Sequence, residues 1–206
     1  MAVSPWPEQP ERVRRLGVLI AGVEPITVLP TEGFPWPERH LAAEVRVAGI
    51  ATTVHSVHAP LSSKPDRVKV LTLERLFEIA VSEPGPRIIA GDLNTPQYES
   101  REGEVSTFAR DRAGLLRPDR DERHDRAELG LVAGLPAAGW NDAFRSLHGY
   151  GRRDRSWTYP SRPFGYRLDH VLASPHFQPL ACDYLHDWRD QGLSDHSPVW
   201  AELGPA

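Results

Sequence analysis

Short apolar runs, some alternating with polar residues and some continuous, recur along this chain and are punctuated by proline and glycine. Leu16 to Ala21 and Ile26 to Leu29 are parted by Gly22 and closed by Pro30, which predicts two strands of a hairpin or meander. Glu44 to Val47 and Ile50 to His58 are β-rich and broken by Ala48-Gly49, which predicts a second hairpin. On its second strand Ile50, Thr52, Val54, Ser56 and His58 share one face, while Thr53, His55 and Val57 share the other. His55 and His58 therefore point to opposite faces.

The period changes after Ser63. Leu73, Leu76, Phe77 and Ala80 recur at helical spacing, Ser63 and Asp66 have the spacing of a capping box, and Pro84-Gly85-Pro86 supplies the stop. Arg87 to Ala90 then predicts a short buried strand that delivers Gly91-Asp92-Leu93-Asn94 at its carboxyl end, where open α/β sheets place their chemistry. From about Tyr98 to Arg126 charges alternate with weak periodicity, which predicts an exposed loop with one or two helical turns. Ala127 to Leu135 reads as a short helix. Trp140 to Ser146 leads into a proline-punctuated loop carrying Trp157, Tyr159 and Phe164, and strand character returns at Tyr166 to Ser174 and Val199 to Leu203.

With 206 residues, 40% of them hydrophobic, the chain suits one domain, expected over 16–206 behind a flexible segment at 1–15. A net charge of −4 excludes a general basic surface that coats nucleic acid, so an anionic partner would have to be gripped locally. The single cysteine, Cys182, excludes an internal disulfide and cysteine-based zinc chemistry, and favours a reducing compartment. No apolar run has the length of a signal peptide or a membrane span, so a cytoplasmic location is expected.

Three separated segments put acids and imidazoles at predicted strand ends: Asp92 with Asn94, Asp169, and Asp195 with His196. Phosphoester cleavage calls for these groups: carboxylates for a divalent cation, a base for water, and donors for the developing charge. A carboxylate-rich, cysteine-free set suits magnesium or manganese, held by Asp195 and Asp92. Arg162 and Arg167 are candidate phosphate contacts, the aromatic group at 157–164 could stack on a base or sugar, and His170 reads as structural.

The motifs also carry a resemblance. Gly91-Asp92-Leu93-Asn94, Arg167-Leu168-Asp169-His170-Val171-Leu172 and Ser194-Asp195-His196-Ser197-Pro198-Val199 resemble, in order, three motifs of the endonuclease/exonuclease/phosphatase superfamily. Val57-His58-Ala59-Pro60 and the Trp140 to Phe144 segment are similar to two more. The resemblance implies a deoxyribonuclease-I-like α/β sandwich of two mixed sheets flanked by helices, and a metal-dependent phosphoesterase. It implies that Asp92 orients the attacking water, Asn94 donates to the scissile phosphate, and Asp169 orients His196 at the phosphate. Asp195 would be a metal ligand and His58 a second phosphate-facing histidine, with His55 its rival. The substrate would be a nucleic acid, nucleotide, inositol phosphate or phospholipid headgroup.

The likeness starts at about residue 16, well inside the family's domain, and the family's early Asn and its metal-binding Glu have no counterpart before it. Upstream sequence supplying both is the expected explanation. The alternative is a short relative with weakened metal binding, a phosphate- or partner-binding module of the same fold.

Overall fold

The computed structural model describes residues 1–4, 17–64, 66–159 and 164–206. Its elements run β1 (Ala2–Val3), β2 (Leu19–Ile20), β3 (Thr27–Leu29), β4 (His40–Val47), β5 (Ile50–His58), α1 (Val68–Ser82) and β6 (Arg87–Asp92). There follow β7 (Tyr98–Glu99), β8 (Val105–Ser106), α2 (Glu122–Leu129), a π turn (Gly130–Gly134), α3 (Leu135–Ala137), β9 (Asn141–Asp142) and α4 (Ala143–His148). The chain ends with β10 (Trp157–Thr158), β11 (Gly165–Tyr166), β12 (Asp169–Ala173), β13 (Phe177–Tyr184), α5 (His186–Asp190) and β14 (Val199–Pro205).

A six-stranded mixed sheet in the order β3-β4-β5-β6-β12-β9 is the centre of the fold. Only β5 and β6 are parallel, joined by α1 as a crossover, and that pairing brings the carboxyl ends of the two strands side by side. One face of the sheet packs on the helices, where Val57, Ile89 and Leu172 meet Leu73, Leu76, Leu131 and Leu135. The other face packs on the antiparallel β13–β14 pair, where Val54, Ile88, Ala90 and Val171 meet Phe177 and Leu203. This is the expected α/β sandwich with flanking helices, its second layer here an antiparallel pair.

Several expectations change. β2 and β3 do not pair with each other: β2 pairs with β1 and β3 with β4, because Ile20 and Ala2 bury against Leu41 and Ala43. Of the flexible segment expected over 1–15, residues 5–15 lie outside the described residues, and Ala2 and Ser4 are buried. The capping box is absent, since α1 begins after Arg67 with no side-chain cap. β13 was not anticipated. The charged stretch after Tyr98 is partly buried rather than an exposed loop, with Thr107 and Ala109 inaccessible and Asp125 bonded to Thr107 and Arg110. No helix among the described residues is long and apolar enough to cross a membrane.

Candidate active site

Register does most of the assembly. His58 is paired with Asp92 across β5 and β6, and Asp92 with Asp169 across β6 and β12. Paired residues in a sheet project to the same face. The three side chains therefore form a row at one end of the sheet, on the face turned toward β13 and β14. His196, in the segment leading to β14, completes the row, its Nδ1 2.6 Å from Asp169 Oδ2.

The backbone here tolerates only certain residues. Gly91 has φ +132°, and a Cβ there would lie 2.0 Å from the Val57 carbonyl oxygen, so the close strand approach beside Asp92 requires glycine. Behind Asp169, the buried Ser156 hydroxyl accepts from Leu168 N and Asp169 N, while the Tyr184 hydroxyl donates to Asp169 O. The pair Asp169–His196 is thus held from two sides.

Electrostatics separate the groups. Burial and, after it, the Asp169 carboxylate push Asp92 up to about 7. Burial works against a charged His196, but the hydrogen bond and charge of Asp169 outweigh it and raise the imidazole above its ordinary value. Burial, then Arg39 and His196, lower His58 to about 4, so it is neutral at pH 7, with Nε2 3.6 Å from Asp92 Oδ2. One end of the row thus favours a neutral imidazole and the other an imidazolium, with carboxylates between. Titratable groups driven apart in this way are the usual basis of an acid and a base in one site.

Every candidate residue but Arg162 has a place in the described structure. His58, Asp92, Asp169 and His196 come together, and the exposed Asp195 adjoins them closely enough for its charge to act on both histidines. His55 is excluded: it is buried on the helix face and bonded to His40 at 3.0 Å. Asn94 is buried, and its amide donates to Ala59 O at 2.7 Å and Asp92 Oδ2 at 3.1 Å, so it holds Asp92. Arg167 is no phosphate contact. Its buried guanidinium is forked between Glu99 and Asp142, because two carboxylates inside the protein demand a cation. Arg162 lies outside the described residues. His170 is structural as expected, buried with Nε2 2.8 Å from Thr95 O.

Magnesium takes one or two carboxylates with water and substrate oxygens, and the excess of buried negative charge that raises Asp92 is what a cation would relieve. Asp92 and Asp195 are carboxylates of the kind that would hold it. Among the described residues no cluster of three or more His, Cys, Asp or Glu side chains could hold a metal ion.

A cleft of about 770 Å³ opens along β11, and none of the four side chains of the row lines it. Trp157 links the two: its backbone bridges His196, and its ring lies parallel to Tyr166 in the cleft wall, centroids 5.9 Å apart. Arg112, exposed, and Arg153, stacked over Tyr98, add positive charge to that wall.

The endonuclease/exonuclease/phosphatase family model matches residues 10–196. The chain belongs to that family. Solved structures agree in fold: D. rerio TDP2 complexed with a single-strand DNA product is 20% identical, with a TM-score of 0.56 over 87% of this chain and 68% of that one. An endonuclease/exonuclease/phosphatase from Beutenbergia cavernae is 20% identical with a TM-score of 0.51, covering 90% of this chain and 45% of its own. The AP endonuclease LMAP from Leishmania major is 16% identical with a TM-score of 0.52, covering 82% and 55%. This chain thus spans between 45% and 68% of the length of these three structures. The comparison with curated proteins gives no match.

Two buried charged groups had escaped the sequence: Lys69 and Glu128, paired with each other behind Asn94. A signal existed, because Lys69 extends the apolar stripe of Leu73, Leu76 and Ala80 one turn back and so places a charge on a core face.

Proposed function

We propose that this protein is a divalent-metal-dependent hydrolase that cleaves a phosphoester by in-line attack of water. The observation that carries the proposal is the row His58, Asp92, Asp169 and His196, brought onto one face by strand register and a 2.6 Å hydrogen bond.

Asp92, held by the Asn94 backbone N–H and side-chain amide, orients the water and accepts its proton. His196, whose hold on a proton is strengthened by Asp169, donates to the phosphoryl oxygens as charge builds in the transition state. Neutral His58 faces the same space and offers a donor to a further phosphoryl oxygen. The bound cation would lie at Asp195 and Asp92 and supply charge neutralisation at the phosphate. We assign a nucleic-acid phosphodiester as the substrate class. The arginine- and tyrosine-lined cleft suits an unpaired base with its phosphate, and the structural relatives include one bound to single-strand DNA.

A non-catalytic phosphate-binding module is the second reading, favoured because no group of three or more His, Cys, Asp or Glu side chains among the described residues is placed to hold a metal ion. Titration with magnesium during hydrolysis of bis-p-nitrophenyl phosphate and of a short single-stranded DNA decides between them. Turnover that rises with magnesium and is abolished by chelation is expected. Saturable binding of the DNA with no turnover at any magnesium or manganese concentration would leave the binding module standing.

A further inference from the structure

Behind the Gly91 to Thr95 loop lies a buried ion pair that the mechanism above does not use. Lys69, in the first turn of α1, places Nζ 2.7 Å from Glu128 Oε1, 2.7 Å from the Asn94 carbonyl oxygen and 3.0 Å from Ser62 Oγ. An ammonium has three N–H donors, and all are committed. Glu128, at the end of α2, accepts from Lys69 and Ser62 on Oε1, and from Thr95 Oγ1 at 3.0 Å and Phe108 N at 2.8 Å on Oε2. Lys69 and Glu128 are 3% and 2% exposed.

Stability alone is a poor reason for such a pair. Two charges withdrawn from water lose by desolvation much of what they gain by attraction, and well-packed apolar residues often serve as well. The contacts point elsewhere. Asn94 has φ +52°, a left-handed conformation that asparagine adopts more readily than other residues with a side chain because it bonds locally, here to Asp92. Its carbonyl is the Lys69 acceptor, while its backbone N–H and its amide hold the two oxygens of Asp92 at 2.8 and 3.1 Å. One residue therefore carries the ion pair at one end and the carboxylate of the reactive row at the other.

We propose that Lys69 and Glu128 are positioning residues for hydrolysis: the pair locks the Asn94 carbonyl and the Thr95 side chain, so that Asn94 holds Asp92 in the orientation that meets the attacking water. The inference rests on the hydrolytic reading of the site. Neither residue touches substrate, and both act through Asn94.

In the full chain, the double variant Lys69→Met/Glu128→Gln removes the donor to Asn94 and leaves an amide oxygen for Thr95 and Phe108. Turnover number on bis-p-nitrophenyl phosphate should fall roughly 10²-fold with KM within about twofold, the signature of misplaced chemistry and not of lost binding. Lys69→Arg, which keeps charge and donors, should recover at least about a tenth of wild-type turnover. A folded double variant with wild-type turnover, or a loss carried wholly by KM, overturns the proposal and leaves the hydrolytic reading standing. The wild-type protein gives a test independent of variants. The two Asn94 side-chain amide protons should appear by NMR as separate, slowly exchanging signals, and a freely exchanging pair overturns the proposal. Protected signals in a wild-type protein that hydrolyses no phosphoester would instead overturn the hydrolytic reading, and the positioning role with it.

Discussion

His55 and His58 belong to the same strand, three residues apart, and both are lowered to about 4 chiefly by burial. Everything else about them differs. His55 is sealed on the helix face, stacked and hydrogen-bonded to His40, which itself stacks on Phe34 with ring centroids 3.7 Å apart. His58 emerges on the opposite face with 31% of its side chain exposed, next to Asp92 and within the field of His196, Asp169 and Asp195. A depressed histidine pKa is thus no mark of function by itself. The face of the strand, and what the next strand pairs with it, decides whether the ring is packing or chemistry.

The sharpest way to break that comparison is to truncate each side of it. His196→Ala should lower turnover by roughly 10²–10⁴-fold with little change in stability, and His58→Ala by roughly 10²-fold. His55→Ala should do the reverse: it opens a cavity and strands His40, costing about 2–3 kcal/mol of stability while turnover per folded molecule is kept. Paired urea melts and initial rates measure both. A His55 variant that folds normally yet loses turnover would undo the division between the two faces.

A second contrast concerns arginine. Arg167 shares the motif of Asp169 but points into a buried network with Glu99, Asp142 and Arg145. Burial opposes the Glu99 charge, but hydrogen bonds and charge from Arg167, then Arg145, outweigh it and hold Glu99 down at about 2. Arg167→Met leaves two buried carboxylates short of a cation and should cost about 3–5 kcal/mol of stability, read from denaturant midpoints. Exposed Arg112 in the cleft wall should behave oppositely: Arg112→Ala should leave the melt unchanged within about 0.5 kcal/mol while weakening single-stranded DNA binding and flattening its salt dependence.

These residues also mark what could be seen in the sequence. The β4–β5 hairpin was legible because Ala48-Gly49, both at positive φ, marks a tight turn between β-rich runs. Its true start at His40 was not, because Leu41, Ala42 and Ala43 are all buried and the alternation of faces is lost there. β13 was hidden by Pro179 and by a bulge that only pairing with β14 explains. Asp92, Asp169 and His196 stood out because strand ends concentrate polar residues that a core would exclude. Arg167, Lys69 and Glu128 were missed for one reason: charge was equated with exposure, whereas each is neutralised by a partner 25 to 68 residues away in sequence.

The smallest effect is also the most discriminating, because it uses pH to ask which histidine is buried without a place for a proton. His40 and His55 fold with values of about 3 and about 4, below the ordinary 6.5 they regain when unfolded. Between those limits the unfolded chain binds more protons, so their contribution is intact above pH 6.5 and is lost as pH falls toward 4 and then 3. At pH 5.5, one unit below the unfolded value, each costs about 1.4 kcal/mol relative to pH 7.5. His58 shares the sign, but its partly exposed ring is screened by water and adjoins carboxylates that welcome a proton, so its share is smaller. His55→Gln should therefore flatten the acid limb of stability more than His58→Gln does. Urea midpoints taken every half pH unit from 7.5 to 5.0 would resolve the two slopes, and equal flattening by both would mean that His58 is as sealed as His55.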